Sequence, residues 1–534
     1  MKPSMVQKPM QTGLFYRAVR QYLWMRWVLF AIFLVLMAVY AGSLLLSATS
    51  VYGIGIRSDS VAYIWSARSL AEGLGLGRLD GGGNFKAMTH WPPLYPVILA
   101  VFPLFGMDVI EGARWLAAIF AGLNVALVGW VLARITRSPW FAAGGALVVL
   151  FSPAMAETNL QAMTESLYIL LSLLALLFLV AALQNERRRW LLAAAGFTAL
   201  ALLTRYVGLA LVLTGTLGIL IYERQPIGRR GRDLIIFLAV SVLPVGFWAL
   251  RNLVLSGSAA NRALTFYAIP ASDFLLALET VQGWVSPASQ ILSIGAGKLI
   301  LALAAVLGGF LLARFAPAEA SNRRRSALVD LNQLLLGFYL TMTLVSRLFF
   351  DPLITIFEQR ILAPAFLSVL VLLTGILCAA WRGALKYRWW LGAVLSVFYL
   401  WSVYSFGMIY HGQSSQIYET MRENGSGYAY KGELNSPFAE LLRQIPDQAV
   451  VFTSNVEKYY FLTGKPSYGY PSEFDEAFIK SVRGMMAERS VFFVSFYREN
   501  DSWLVLHEQL TGLQTVYEDE NAYIYSSLPS VKEQ

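Results

Sequence analysis

Charge is what this chain has least of. Asp, Glu, Lys and Arg make up 14% of its 534 residues, against roughly 25% in an ordinary soluble domain. That shortage excludes a soluble multidomain enzyme, a disordered chain and a fibrous protein. Cysteine is almost absent: Cys378 stands alone inside an apolar run, so no intrachain disulfide and no cysteine-based metal site can form. The three histidines, His90, His411 and His507, are too scattered to form a cluster by spacing. Internal repeats and low-complexity tracts are also missing.

What fills the chain instead is apolar. Hydrophobic residues reach 57% and aromatics 14%, with 15 Trp. This is the composition of a polytopic membrane protein, in which Trp and Tyr collect at the membrane–water interfaces. The formal net charge of +9 has a plain source in such a protein, namely cytoplasmic loops rich in Lys and Arg. The basic N-terminus (Lys2, Lys8, Arg17, Arg20, Arg26) leads into Trp27–Ile56, which carries no charge. A signal peptide would have a shorter core and a small-residue cleavage site. The reading is an uncleaved first span with its N-terminus inside.

A span needs about 20 mostly apolar residues. Candidates are Trp27–Leu46, Trp115–Ala133, Trp140–Ala156, Ser166–Leu183, Trp190–Thr204, Tyr206–Tyr222, Leu234–Leu250, Ile291–Ala313, Leu331–Ser346, Ile361–Trp381 and Trp389–Ile409, which makes about eleven. The inner loops are then Arg134–Arg137, Arg187–Arg189, Arg224–Arg232, Arg314–Arg325 and Arg382–Arg388, each with a Lys/Arg cluster. The outer connections near Glu157, Arg205 and Asp351 lack such clusters, as the positive-inside rule requires. Trp190–Thr204 and Tyr206–Tyr222 are each short. Basic flanks on both sides nevertheless demand an even number of crossings, so one long helix is excluded.

Three segments face outward: Ser47–Arg114, Arg251–Gln290 and the tail. In the first, Ser60–Leu70 predicts an amphipathic helix that Asp59 or Ser58 could cap. Pro93–Gly106 is apolar but too short to span, and predicts an interfacial helix. The fold class is therefore mainly α, with a membrane domain over residues 1–410. Residues 411–534 form a small extracytoplasmic α/β domain. Within it, Ala449–Ser454, Ser490–Phe496 and Ala522–Ser526 read as strands and Asp475–Glu488 as a helix. The glycines of E-G-L-G-L-G do not make a dinucleotide site, because no strand–helix–strand unit surrounds them.

Several segments carry a more specific signal. D-S-V-A-Y-I-W-S-A-R-S-L at 59–70 and H-W-P-P-L-Y-P at 90–96 follow the first span. A-M-T-E-S-L-Y stands at 162–168, L-L-T-R-Y-V-G-L at 202–209 and E-Q-R-I-L-A-P at 358–364. The tail adds S-N-V-E-K-Y-Y-F-L-T-G-K-P at 454–466. In their order and placement these segments resemble the GT-C membrane glycosyltransferases, in the branch of protein O-mannosyltransferases and the lipid A aminoarabinose transferase.

That resemblance implies a polyprenyl-phosphate-linked sugar donor, membrane lipids as surroundings, and transfer to a lipid, glycan or protein hydroxyl on the outer face of the plasma membrane. Nucleic acid is not an expected partner. A hydroxyl is a poor nucleophile at neutral pH, and a carboxylate in reach can take its proton. Asp59 is the candidate general base and Glu165 a second acid, whose other reading is a helix N-terminal acid stabilised by the macrodipole. Tyr63, Lys86, His90, Arg205, Tyr206 and Arg360 are candidate substrate-binding residues. Arg205 and Arg360 are the leading candidates for the leaving lipid phosphate; their other reading is snorkelling from helix ends. The chain departs from the aminoarabinose branch at His90, where His-Trp-Pro-Pro replaces an acid before Lys-Pro-Pro. A divalent metal ion held by His90 with Asp59 or Glu165 is a candidate cofactor. The alternative functions are a transporter or flippase of lipid-linked sugars and an outer-leaflet polysaccharide polymerase or ligase.

Overall fold

A computed structural model describes residues 11–185, 187–222, 226–285, 323–350, 358–471, 474–497, 510 and 512–527. Helix α1 (Gln11–Ala48) is the expected first apolar run, extended at both ends. The first loop then folds as helix α2 (Ser58–Ala71), the hairpin β1 (Gly77–Leu79) and β2 (Phe85–Ala87), and helix α3 (Leu94–Leu99), followed by a 3-10 turn at Phe102–Phe105. Asp108 caps α4 (Val109–Thr136), accepting from the Ile110 N–H at 2.8 Å. Next come α5 (Pro139–Leu150) and α6 (Pro153–Asn159), bent by 56° where the expected third span breaks at Phe151–Ser152. Proline begins each piece, where its missing N–H costs nothing.

The helices that follow are α7 (Glu165–Asn185), α8 (Arg188–Thr204), α9 (Leu209–Tyr222), α10 (Ile227–Ser256), α11 (Ala271–Val285), α12 (Arg323–Phe349), α13 (Gln359–Tyr387) and α14 (Trp389–Asn424). Among the described residues, seven helices are long and apolar enough to cross a membrane, or eight if the bent α5–α6 pair is one span. The α8–α9 pair is broken as the basic flanks require. Arg205 takes an extended backbone, φ −149° and ψ 134°, and Tyr206–Gly208 forms a 3-10 turn. The candidate span Ile291–Ala313 lies outside the described residues.

Small residues set the closest helix approach. Gly122 of α4 lies against the α1 backbone, and a Cβ there would stand 2.5 Å from the Ala38 carbonyl oxygen. Small interfacial residues of this kind let membrane helices pack through their backbones.

Helix α14 runs across the expected boundary at 410/411 to Asn424, before the chain turns at Gly425. Beyond it lie α15 (Pro437–Gln444), β3 (Val450–Thr453), α16 (Val456–Thr463), β4 (Tyr468–Gly469), α17 (Glu476–Glu488), β5 (Val491–Ser495), β6 (Gln514–Glu518) and β7 (Tyr523–Ser526). The sheet order is β4-β3-β5-β7-β6, parallel across β4-β3-β5 and antiparallel across β5-β7-β6. Strands β3, β5 and β7 are buried throughout. Alternate residues feed two cores, Val451, Phe492 and Ile524 on one face and Phe452, Phe493 and Tyr525 on the other. Strands buried on both faces read as continuous apolar runs, which is why they are legible in sequence.

Gly122→Ala forces a methyl into the α1 backbone and is expected to cost about 1–3 kcal/mol, the scale of overpacking. Gly196→Ala in α8, with nothing within 4 Å of the added carbon, is expected to be neutral or stabilising by up to ~1 kcal/mol. Thermal unfolding of the two variants in the same detergent checks the contrast. Equal midpoints would show that the α1–α4 approach does not limit stability.

Candidate active site

The site is built around two consecutive residues, Gly55 and Ile56, laced on both sides. On one side the Gly55 N–H donates to the Leu160 carbonyl at 2.9 Å, and the Ala162 N–H donates to the Gly55 carbonyl at 2.9 Å. On the other, the Ile56 N–H donates to the Ser426 carbonyl at 3.3 Å, and the Tyr428 N–H donates to the Ile56 carbonyl at 2.8 Å. Gly427 between them has φ +64°, and a Cβ there would meet the Ile56 carbonyl oxygen at 2.0 Å. Glycine is required by the conformation and by the space. The lacing brings the starts of α2 and α7 together, and with them Asp59 and Glu165.

Asp59 does not cap α2. The residue before the helix is Arg57, whose backbone N–H donates to Ser60 Oγ at 3.1 Å, so the reciprocal bond belongs to Ser60. Asp59 sits in the first turn, half-buried. Burial pushes its carboxyl above the ordinary carboxylate value; Arg360 opposes that shift, Glu165 adds to it, and Arg205 and His90 oppose it. The four charges that bear on Asp59 are thus four of the residues singled out in sequence.

Glu165 opens α7 and is 1% exposed. Its Oε1 is shared by two guanidiniums, Arg205 Nη1 at 2.8 Å and Arg360 Nη1 at 3.2 Å. Arg205 also donates to Thr164 Oγ1 at 3.1 Å. Arg360 Nε lies 3.7 Å from Glu358 Oε2, and the same oxygen lies 3.5 Å from Arg57 Nη1. Charges therefore alternate in one line: Arg205, Glu165, Arg360, Glu358, Arg57. Glu165 is accordingly held by two guanidiniums. Arg360 lines a cavity that Arg205 does not line.

The other sequence candidates divide. Tyr63 is buried beside Asp59, its ring 5.5 Å from Tyr95 and 6.1 Å from Trp91, and burial pushes its hydroxyl pKa up. Tyr206 faces Trp248 of α10. His90 packs on Trp91, with Nε2 3.2 Å from Arg262 Nη2 and Nδ1 3.4 Å from the Asn261 carbonyl. Lys86 stands apart, exposed on β2 with its ammonium 3.7 Å from Asp80. Arg57 and Glu358 were not singled out in sequence, although each lies within two residues of a candidate, in R-S-D-S and E-Q-R. Their signal was proximity alone.

The side chains do not suit the divalent ion considered for His90, Asp59 and Glu165. Two guanidiniums already hold Glu165, and a third lies against His90. A cation would enter among three positive charges. Among the described residues no three His, Cys, Asp or Glu side chains converge as a ligand set.

Residues 90–248 match the family model for dolichyl-phosphate-mannose-protein mannosyltransferases. Among solved structures, the chain is similar to ArnT from Cupriavidus metallidurans bound to undecaprenyl phosphate. The TM-score is 0.59 at 15% identity, covering 94% of this chain and 98% of that one. The apo state of the same protein aligns with TM-score 0.60 at 14% identity, over 92% and 97% of the two chains. The arabinofuranosyltransferase AftD from Mycobacteria aligns with TM-score 0.51 at 16% identity, over 93% of this chain and 42% of that one. No curated protein matches the chain by sequence. The family match covers residues 90–248, and the solved structures share the fold.

Glu165→Gln leaves two partly buried guanidiniums without their anion. Breaking a buried pair by removing one partner costs about 3–5 kcal/mol, so a clear loss of thermal stability is expected. Arg205→Gln should cost less when added to Glu165→Gln than alone, because the two share one interaction. Strict additivity in that double-mutant cycle would dissolve the shared anchor.

Proposed function

We propose that this protein transfers a sugar from a polyprenyl-phosphate-linked donor to an acceptor hydroxyl at the outer face of the membrane, with Asp59 as general base. One observation carries the reading: a half-buried carboxyl, Asp59, feels the charge of Arg360, a guanidinium fixed by Glu165. A base and a phosphate-binding cation side by side are what displacement of a lipid phosphate needs. The undecaprenyl phosphate bound to ArnT supports the donor class.

The step balances without a cofactor. The acceptor oxygen bonds to the anomeric carbon while its proton passes to Asp59. The bond from that carbon to the phosphate oxygen breaks, and the lipid phosphate leaves with the electron pair. Its growing negative charge is met by Arg360, whose planar fork suits a phosphate, with Arg57 at the far end of the same charge line. Arg205 acts through Glu165 as a positioning residue. Burial of Asp59 raises its basicity toward the working pH, where a general base is most effective.

Alternating Arg clusters support an inner N-terminus and an outer tail. The short apolar helices α3 and Phe102–Phe105 suit the interface, with Leu104 and Phe105 exposed for lipid. A transporter would carry its ionisable groups at mid-membrane and show repeats; here the charges cluster at helix ends.

Purified protein is expected to release polyprenyl phosphate from one member of a panel of polyprenyl-phosphate sugars and to transfer the sugar. Asp59→Asn should keep donor binding while turnover falls by a factor of about 100 or more. Near-wild-type turnover would remove Asp59 as the base.

The pH profile has a definite sign. The base must be deprotonated, so kcat/KM should fall as pH drops through the Asp59 pKa, above the usual carboxylate value of about 4. Removing the opposing charge with Arg360→Gln should move that acid limb to higher pH. A limb unmoved in Arg360→Gln would separate the two residues.

A reporter fused after Gln534 should be active only outside the cytoplasm. Activity inside would overturn the outer-face assignment.

A further inference from the structure

Asp59 is placed by its helix. Among the described residues, Arg360, Glu165, Arg205 and His90 act on its carboxyl as charges, and no hydrogen bond holds it. Helix α2 therefore decides where that carboxyl stands. Next to its first turn, Arg57 reaches Glu358 of the α13 start at 3.5 Å. Its second half is held by the tail. Trp65, buried, stacks face to face on Tyr460 of α16, with ring centres 3.7 Å apart and planes 3° from parallel. Arg68 donates to the Tyr460 hydroxyl at 3.5 Å and to Asp108, the cap of α4, at 2.8 Å.

The hairpin that follows α2 adds two contacts with the tail. Arg78 of β1 pairs with Glu457 of α16 at 2.7 Å, and its guanidinium lies 5.6 Å from the Trp65 ring centre. At the hairpin turn, a Cβ on Gly81 would stand 2.8 Å from the Tyr468 backbone nitrogen of β4. The stack, the ion pair and the hairpin turn thus all rest on α16 and β4.

Six residues separate Asp59 from Trp65, about 9 Å along a helix and about 120° around it. The tail holds one side of the rod and the carboxyl stands on another. At that distance a tilt of about 6° about Trp65 displaces the Asp59 end by about 1 Å. A misplacement of that size can cost about 100-fold in rate.

We propose that the tail positions the base: Tyr460 and Glu457, through Trp65 and Arg78, set where α2 holds Asp59. The inference rests on the reading of Asp59 as general base and adds two positioning residues that act through α2.

The test uses the full chain in lipid nanodiscs, with the polyprenyl-phosphate sugar from which the wild type releases lipid phosphate. Tyr460→Ala should lower kcat about 10- to 100-fold while KM for the donor stays within about twofold, as when only transition-state alignment is lost. Glu457→Arg sets like charges against each other and should also lower kcat. Adding Arg78→Glu reverses the pair and should restore most of that loss. In an Asp59→Asn background Tyr460→Ala should cost nothing further, because both act on one group. If Tyr460→Ala unfolds, the charge reversal decides. The inference is overturned if the tail variants keep wild-type kcat, or if they raise donor KM and spare kcat. Losses that add to that of Asp59→Asn, or a charge reversal that restores nothing, overturn it too. Release by the wild type is scored separately. Release with unchanged kcat in the tail variants sinks the positioning role alone. Absence of release from every donor in the panel sinks the transferase reading and this inference with it.

Discussion

A single carboxylate oxygen organises the site. Glu165 Oε1 holds Arg205 on one side and Arg360 on the other, in a place sheltered from water. Burying an anion is costly unless it is paired, and here the pairing fixes three elements at once. α7 supplies the carboxylate, the α8–α9 break supplies Arg205, and the first turn of α13 supplies Arg360. The start of α7 helps, because the positive end of a helix dipole favours an anion. The α8–α9 break also follows from this pairing. Thr204 ends α8, and Arg205 leaves the helical conformation so that its guanidinium can reach Glu165 and Thr164.

That arrangement separates tasks that the sequence presents as equivalent. Arg205 and Arg360 occupy similar motifs at predicted helix ends, and nothing local distinguishes them. In three dimensions Arg360 keeps a face on a cavity that Arg205 does not line. The same holds for the acids. Asp59 and Glu165 both stand near helix starts, yet Glu165 is neutralised by two cations, while burial outweighs the cations acting on Asp59. A carboxylate already committed to two guanidiniums has no basicity to lend. Division of labour between two acids is set by their surroundings.

Legibility followed the length scale of the signal. Long apolar runs and alternating Arg clusters act over tens of residues, and helices α4, α7, α10, α13 and α14 contain the segments expected of them. Strands β3, β5 and β7 were readable for a related reason, as short apolar runs buried on both faces. Helix α14 turns polar after Ile409 without ceasing to be helical. Loss of hydropathy marks the edge of a membrane, not the end of a helix. Asp59, Glu165, Arg205 and Arg360 could be singled out because their motifs are local. The Glu358–Arg57 link escaped, because it joins residues about 300 positions apart in sequence order, and no periodicity records that.

The tail is tied to the site by more than one thread, and this changes what kind of object it is. Trp65 of α2 stacks on Tyr460 of α16 at 3.7 Å, with the Arg78 guanidinium 5.6 Å from the indole centre and paired to Glu457 at 2.7 Å. The Ser426–Tyr428 turn that leads into the tail hydrogen-bonds to Ile56, three residues before Asp59. Gln161 Nε2 donates to Ser426 Oγ at 3.0 Å, four residues before Glu165. Both acids therefore hang from a strip of backbone that includes the tail's own entry. A domain that only covered a cavity would need none of these bonds. Because Gly427 admits no side chain against Ile56, the strip has one tight register, and the position of Asp59 depends on how the Ser426–Tyr428 turn is seated. That turn and the starts of α2 and α7 are thus joined through one strip of backbone.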